Sequence, residues 1–370
     1  MAEKKLKLET IDFYAPRFDV EIEGKKIPYT ISKIIKEVRV EEVKNLASRF
    51  SIIVNDEYDT KKGEFKGLAE DSIFEEGNKV TIKMGYGSKK LPTMLIGRID
   101  ELESNFFSGD APTLTLSGFD FSCEFRKPSK AGPPFPKMSY SKIVEEIAKK
   151  YKFPFEIEHT EKLDKVISKK NDISDYKFIM ELAKKCSREF GIDRKTLYFI
   201  KSQADKDEIV TLEWGKHLIS FNPRMRLSAL YSKVEVRGHN SNDPKKPISG
   251  TANPGDESIK DEKGKTGSQI ANELCPESTK VVTVERAIDN KQAKEIALSI
   301  FNKASDTLFT GSGECIGIPQ IKPQVAIRIE NVGKRFCGKY YVESATHVIN
   351  DSGYRTNFKV YKNSVTEECK

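Results

Sequence analysis

GKRFCGKYYVESATHVINDSGYRTNFKVYKN, residues Gly333 to Asn363, decides the fold class. Apolar and aromatic residues alternate with polar ones through Tyr340, Val342, Ser344, Thr346 and Val348, the two-residue period of a strand. Asn350-Asp351-Ser352-Gly353 supplies a turn, and a second alternating run carries Phe358 and Val360. The segment therefore reads as a β-hairpin. A similar pattern stands earlier, in LIGRIDELESNFFSGDAPTLTLSGFD, Leu95 to Asp120. Gly97 and a basic residue open a long strand there, a Ser-Gly-Asp turn follows, and Leu114 and Leu116 lie on the return strand. Two copies of one β-unit near opposite ends of a chain imply a duplicated module.

The whole chain, at 370 residues, is long enough for two to four domains. The hydrophobic fraction of 37% supports ordinary cores. Charged residues make up 32% with both signs interleaved, so the net charge of +7 is a small excess on a dense background. Lys4-Lys5, Lys61-Lys62, Lys89-Lys90 and Lys245-Lys246 are short and scattered, unlike the basic stripe of a nucleic-acid binder. MAEKKLKLETIDFYAP at the start lacks an apolar core of signal-peptide length, and no run reaches a membrane span. The expectation is a soluble chain made in the cytoplasm. Cys123, Cys186, Cys275, Cys315, Cys337 and Cys369 form no C-x-x-C pair, so neither a disulfide framework nor a zinc site is expected. Cys186 falls on the apolar face of a helix, as a buried free thiol.

Residues 1–120 read as one β-domain. Phe18, Val20 and Ile22; Val38 and Val40; Phe50, Ile52 and Val54; and Val80, Ile82 and Met84 each alternate with polar residues, as antiparallel strands with one face on a core do. Turn signals separate them at Glu23-Gly24, Lys62-Gly63, Glu76-Gly77-Asn78 and Gly85-Tyr86-Gly87. The Pro- and Gly-rich segment Lys127 to Pro136 reads as a junction. Helical spacing follows over Ser139 to Tyr151, with Ile143, Val144, Ile147 and Ala148 on one face. A second helix is expected over Ser174 to Phe190, capped by Ser174 or Asp175 and ended by Gly191. Thr196 to Ile200 and Ile209 to Leu212 read as a hairpin, so residues 121–220 form a small α/β domain. Residues 221–370 form the second β-domain, opening at Met225 to Arg237. A polar stretch at about 239–280, poor in apolar residues, reads as a long loop. After strand-like Val281 to Val284, Asp289 and Gln292 cap a helix buried through Ala293, Ile296, Ala297, Ile300 and Phe301. Val325 to Ile329 is a strand, and Glu367 to Lys370 reads as a frayed tail.

Gly317-Ile-Pro319, Lys322-Pro323, Phe336-x-Gly338-x-Tyr340-Tyr-Val342, His347 and Gly353-Tyr354-x-Thr356 follow one another as in a known closing β-domain. With Ala15-Pro16-Arg17-Phe18, the run Asp172 to Ala183, Gly191 and Leu197-Tyr-Phe199, nearly the whole chain resembles the phage late-control protein D family of tail hub proteins, and the hub portion of VgrG proteins of type VI secretion. The resemblance implies a mainly β fold with α+β elements: two tail-tube-like antiparallel β-barrels joined by a small α/β domain. Three such chains would form a pseudo-hexameric ring. It further implies a non-enzymatic baseplate hub of a contractile tail or injection particle, adapting the sixfold tail tube to a threefold spike. Its expected partners are two further copies, the tail tube protein, a separate trimeric spike protein, baseplate wedge proteins and tape-measure proteins. The 239–280 stretch would dock baseplate neighbours. Where VgrG proteins continue into a spike, this sequence ends at Lys370, closer to the protein D type.

No catalytic, cofactor-binding or metal residue is assigned, and no cofactor is expected. His347 lies on a strand between Thr346 and Val348, and His159, His217 and His239 lie in unrelated segments, so none has the Ser, Cys or metal partner pattern of a catalytic base. Glu145-Glu146 and Glu41-Glu42 read as solvated neighbours, against a wall hydrolase's carboxylate pair. Gly85-Tyr-Gly87 and Gly311-Ser-Gly313 lack the following Lys-Ser/Thr of a phosphate loop and read as turns. Trp214 with Phe221 is the pair a carbohydrate-binding module would use, against core packing. Lys233-Glu235-Arg237 and Glu37-Arg39-Glu41 are the charged strand faces suited to lining a channel.

Overall fold

The computed structural model describes residues 5–365, apart from 56–57, 60, 62–63, 66–71, 88–89, 109–110, 163–165, 204–205, 239–246, 258–263, 277 and 285–288. His239, the Lys62-Gly63 turn, Lys245-Lys246 and the 367–370 tail lie outside the described residues.

Twelve strands carry the main sheet, in two sets of six. The first set is β1 (Pro16–Ile22), β2 (Ile35–Val43), β3 (Arg49–Asn55), β4 (Lys79–Tyr86), β5 (Thr93–Asn105) and β6 (Thr113–Asp120). The second is β7 (Glu208–Glu213), β8 (Leu218–Met225), β9 (Phe309–Ile316), β10 (Ala326–Glu330), β11 (Gly338–Asn350) and β12 (Gly353–Lys362). With the short edge strand Lys25–Lys26 they make one thirteen-stranded sheet, ordered β8-β9-β12-β11-β2-β3-β6-β5-β4-β1, with β10 on β11 and β7 on β10.

The two sets repeat strand for strand, with two pairs of bulges at equivalent positions; the bulge between Ile82 and Lys83 of β4 has no counterpart in the pairing of β10 with β11. β2 pairs β3 antiparallel with a bulge between Ile35 and Glu37, and β8 pairs β9 with a bulge between Leu218 and Ser220. β5 pairs β6 with a bulge between Ile99 and Glu101, and β11 pairs β12 with a bulge between Val342 and Ser344. β3 lies on β6 as β9 lies on β12, and β4 on β5 as β10 on β11. Bulges fix register because each inserts one unpaired residue, so matching bulges mark equivalent strands. The repeat departs at its first member: β1 runs antiparallel to β4, whereas β7 runs parallel to β10. The duplicated hairpin seen in the sequence is therefore part of a duplicated five-strand unit.

The bulge also corrects the alternation read for β11. Tyr340 and Val342 face the core, but the extra residue Glu343 shifts the phase, so Ala345, His347 and Ile349 face it next. Ser344, Thr346 and Val348 point to the other side. A one-residue insertion inverts every later side chain in a strand, and no local signal announces it.

Each set covers its own core. Val38, Val40, Ile52, Val54, Ile82, Met84 and Leu116 are buried in the first. Val210, Phe309, Ile327, Tyr340, Val342 and Phe358 are buried in the second. Ile349 and Tyr354, from the tip of the β11–β12 hairpin, belong to the first core although they follow the second in sequence. That sharing follows from β11, whose first half pairs β10 and whose second half pairs β2.

A separate cluster lies in residues 121–200. Helix α1 (Tyr140–Lys150) and helix α2 (Asp175–Lys185) start at Ser139 and Ser174, whose side chains accept from Lys142 N and Lys177 N, as N-caps do. They pack on a three-stranded sheet of Phe155–Ile157, Thr196–Ile200 and Glu189–Asp193. Two expectations fail here. α2 ends at Lys185, and Gly191 lies inside a strand, where a Cβ would sit 2.3 Å from the Tyr198 hydroxyl. Thr196–Ile200 pairs Glu189–Asp193, while the 208–213 strand joins the main sheet, so they form no hairpin. A buried Asp175, held by Lys169 at 2.8 Å, Lys150 at 2.7 Å and Tyr151 Oη at 2.9 Å, ties this unit together. These partners hold its carboxyl below the usual range, against the opposing effect of burial.

The stretch at 239–280 is not one loop. Ile248–Ala252 pairs Lys233–Gly238, which also pairs Thr279–Val284, and helix Asn290–Ser305 packs on this sheet through Ala293, Ala297 and Phe301. Helix Gly267–Leu274 starts with a full capping box between Thr266 and Gln269. The strand Lys233–Gly238 thus opens this inserted unit, while the second β-set has already begun upstream of Met225. Composition misled because the unit's core is small: few apolar residues suffice when alanines let helix and strand approach closely. Cys337 is disulfide-bonded, against the expectation of no bridges, since tertiary proximity and not sequence spacing sets pairing. Cys123, Cys186, Cys275 and Cys315 are free.

Gly250 is where helix and strand meet most closely: an added Cβ would lie 2.1 Å from Lys294 N and 2.2 Å from Ala293 C. Gly250→Ala is expected to cost about 1–3 kcal/mol, the usual penalty of overpacking. Denaturant unfolding with protection measured by hydrogen exchange should place the loss in residues 233–305. Unchanged stability would mean that helix Asn290–Ser305 does not rest on this strand.

Candidate functional surface on the shared sheet

Directly opposed residues of an antiparallel pair share a face, so the registers define a continuous surface opposite the cores. Ser220, Glu314, Asn357, Thr346, Glu41 and Arg49 form one row across β8, β9, β12, β11, β2 and β3. The next row runs through Arg355, Val348, Arg39, Ser51, Ser117 and Glu101, reaching β6 and β5. Hydroxyls and charges dominate. Arg39, Arg49, Arg224, Arg355 and Lys359 share this face with Glu37, Glu41, Glu101, Glu103 and Glu314, so both signs are interspersed along the sheet.

Local bonds hold these groups down. Arg39 Nε lies 3.1 Å from Glu37 Oε1, Asn350 donates to Glu37 Oε2 at 3.2 Å, and Ser117 Oγ donates to Glu101 at 3.2 Å. Arg355 lies 3.6 Å from Glu314. Such exposed pairs add only tenths of a kcal/mol to stability. Their effect is on the surface: a neutral, hydrated carpet with few apolar footholds. Glu37, Arg39 and Glu41 belong to it as expected, but Lys233, Glu235 and Arg237 lie on the inserted unit's sheet.

At the end of this face, where β11 changes partners, three parts of the chain meet. Lys44, just after β2, lies 2.8 Å from Glu189 Oε1 of the α/β unit and donates to Tyr361 Oη of β12 at 2.8 Å. Tyr341 of β11 donates to Glu189 Oε2 at 2.8 Å, and Lys44 stands over both tyrosine rings. Burial and the nearby Glu189 carboxylate push the Tyr341 hydroxyl far up. A buried charge of this kind is tolerable because it is paired and hydrogen-bonded.

The candidate chemical residues do not converge. His347 is fully buried: Nε2 is 2.9 Å from Ile321 O, and Nδ1 is 3.0 Å from Tyr354 Oη and 3.1 Å from Thr356 Oγ1. The short carbonyl contact makes Nε2 the donor and leaves Nδ1 to accept from the hydroxyls. Burial pushes its pKa down to about 4. His159 is exposed and His217 half-buried, on other elements. Glu145 pairs with Lys149 on α1. Glu41 and Glu42 point to opposite faces of β2; Glu42 has its pKa pushed up to about 7 by burial and by the Asp193 carboxylate. Gly311 and Gly313 are not in a turn but in β9, where the rings of Phe221 and Phe358 lie over them. Trp214, expected in a core, is 59% exposed, whereas Phe221 packs edge-on against Tyr340 at 5.5 Å. Among the described residues no group of His, Cys, Asp and Glu is arranged to hold a metal ion, and no helix is long and apolar enough to cross a membrane.

A family model described as the Alg8 N-terminal domain matches residues 14–351. The chain belongs to that family. No curated protein matches it in sequence. The resemblance to late-control protein D is thus not the family whose model matches, but the fold of this Alg8 N-terminal domain family member leads to tail proteins. It is similar to the 43 kDa tail protein of prophage MuSo2 from Shewanella oneidensis, at 13% identity and a TM-score of 0.71, covering 94% of this chain and 98% of that one. It is also similar to a tail protein from Neisseria meningitidis MC58, at 11% identity and a TM-score of 0.68, covering 94% and 97%. A third likeness is to the E. coli c3393 protein, described as a type VI secretion component with structural similarity to the T4 tail proteins gp27 and gp5. That match has 11% identity and a TM-score of 0.55, and covers 95% and 79%. At such identities the likeness establishes a shared fold: this chain has the architecture of phage tail proteins.

The His347 geometry sets a pH dependence. Its pKa in the fold, about 4, lies below its ordinary 6.5, so the unfolded chain takes up a proton that the fold refuses. Stability from this group is complete above pH 6.5 and is lost as pH falls toward 4, by at most about 3 kcal/mol. Glu42, and Asp306 whose pKa burial likewise pushes up to about 7, act oppositely, weakening the fold as pH rises from about 4 to 7. Subtracting the unfolding free energy of His347→Gln from that of the wild type at each pH cancels them. The difference should change with pH between 6.5 and 4; a flat difference would show that His347 is not held neutral.

Proposed function

We propose that this protein is a structural, non-enzymatic baseplate hub of a contractile tail or injection particle. In this reading, residues 1–120 and 208–370 are tube-like β-domains, the second carrying the unit inserted at 233–305, and the α/β domain at 121–200 lies between them. Three copies form a ring with six similar units, which meets the sixfold tail tube on one side and a threefold spike on the other. The observation that carries the reading is the repeat within the sheet: five strands of one set match five of the other, with bulges at equivalent positions. A chain holding two equivalent units presents six of them as a trimer, so threefold and sixfold partners can bind one body without mismatch. The likeness to tail proteins supports the same class of particle.

The carpet of balanced charge has a place in this mechanism. A channel wall must neither bind apolar side chains nor attract one sign of charge, and the rows through Thr346, Glu41 and Arg39 meet both conditions. The expected partners are the tube protein, a spike protein, wedge proteins and tape-measure proteins. The inserted unit at 233–305 takes the role of a docking element for baseplate neighbours.

The test is mass measurement by light scattering followed by averaged electron micrographs, on the protein alone and mixed with the tube and spike proteins of a contractile tail. A three-chain ring of six similar lobes around a channel is expected. Another ring symmetry, or a chain that stays single in every mixture, would overturn the reading.

A further inference from the structure

The duplicated registers leave one position of the sheet unequal. In the first set, the outer edge of β2 is covered by the second half of β11, with Lys44 N donating to Glu343 O at 2.9 Å and Ser344 to Asn350 opposite Val43 to Glu37. The equivalent of β2 is β8, and β8 ends the sheet. The equivalent of β11 is β5, whose first half pairs β4 and whose second half, Ile99 to Asn105, has β6 on one side and, among the described residues, no strand on the other. The molecule therefore carries one filled example of a strand joint and, separately, both halves of a second.

We infer that β8 of one copy pairs antiparallel with the second half of β5 of another copy, repeating between chains the joint that β2 and β11 make within one. The inference rests on the proposed trimer, which supplies the copies, and it specifies their joint. The equivalences fix the register without adjustment. The bulge at Leu218/Ser220 aligns with Ile35/Glu37, and the bulge at Ile99/Glu101 with Val342/Ser344. Carrying Val43–Ser344, Glu42–Ala345 and Glu41–Thr346 across sets Arg226 opposite Glu101, Met225 opposite Leu102, and Arg224 opposite Glu103.

Nothing in that transfer required complementary chemistry, yet the side chains match on both faces. The two arginines and two glutamates share the polar carpet, all four are exposed, and no ion pair engages them among the described residues. Met225 and Leu102 share the core side, each half-buried against its own core. Beyond Leu102, Phe106 and Phe107 are 63% and 67% exposed. The backbone agrees too. Arg226 N donates inward to Leu308 O, so alternation turns the main-chain groups of Phe221, Pro223 and Met225 outward. Pro223 removes one donor from that edge, which still leaves Phe221 and Met225 to donate. A proline is tolerated there because the edge is unpaired in the single chain, and it discourages promiscuous strand addition.

Charge reversal tests the joint. Arg224→Glu with Arg226→Glu, or Glu101→Arg with Glu103→Arg, should each weaken self-association at least tenfold at low salt while leaving the circular dichroism spectrum unchanged. The chain carrying all four changes should regain it. Independently, Arg224→Cys with Glu103→Cys in a Cys275→Ser background should oxidise to covalent trimers. That pair is a non-hydrogen-bonded one with Cα atoms about 4.5 Å apart, within disulfide reach. The control pair Arg224→Cys with Asn105→Cys, two residues out of register, should not. If wild type forms threefold rings but the reversals leave them intact and the Arg224→Cys, Glu103→Cys chain stays reduced, the joint is wrong and the trimer stands. If wild type and the swapped chain never associate, both fall.

Discussion

One strand holds the two β-sets together. β11 spends its first half beside β10 and its second half beside β2, so a single continuous backbone lies in both β-sets. The switch happens at the bulge around Glu343, where the extra residue re-aims the strand and turns its later side chains toward a different core. Ile349 and Tyr354 then pack in the first core, though the chain has travelled nearly its full length to bring them there. Backbone pairing of this kind is stiffer than side-chain packing, because sliding one set past the other would break a ladder of hydrogen bonds and invert which residues are buried.

The junction beside the bulge couples the third unit to the same point. Glu189 comes from the α/β unit, Lys44 from the end of β2, Tyr341 from β11 and Tyr361 from β12. Each supplies the hydrogen bond or charge that another needs in order to be buried. Removing any one would leave an unpaired polar group out of reach of water, which costs more than the pair itself contributes. The arrangement fixes how the α/β unit stands against the sheet. His347 serves similarly within the hairpin, satisfying a loop carbonyl at Ile321 and accepting from Tyr354 and Thr356, with no exposed face from which to do chemistry. The polar side chains at these buried points are used to hold the units together, whereas those on the outward face of the sheet are left to solvent.

That surface was only partly legible beforehand. The alternation of Glu37, Arg39 and Glu41 marked a charged strand face, and it is one. Lys233, Glu235 and Arg237 show the same alternation and lie on another sheet. Period tells which residues share a face; it says nothing about which sheet the strand joins. Trp214 and Phe221 repeat the point: both are large aromatics near one turn, but only Phe221 has Gly311 and Tyr340 beside it to pack against. Pro223 marks β8 as an edge strand, because proline cannot donate to a ladder, but the uncovered half of β5 had no sequence signal, since such an edge is defined by the absence of a neighbour.

Order along the chain was enough to settle what depends on residues close together in it. The strands of the first set, the existence of the hairpin within Gly333 to Asn363, and the caps at Ser174 and Asp289 are all set by local period and by side chains bonding a few residues away. Long-range packing settled the rest: that 208–213 runs parallel to β10, that Gly191 lies in a strand, that the polar 239–280 stretch contains a strand and a helix, and that β11 crosses from one set to the other. Those outcomes turn on pairing partners far apart in the chain and on single bulge residues. The energy that selects them comes from burial and ladder bonds formed only when distant segments meet.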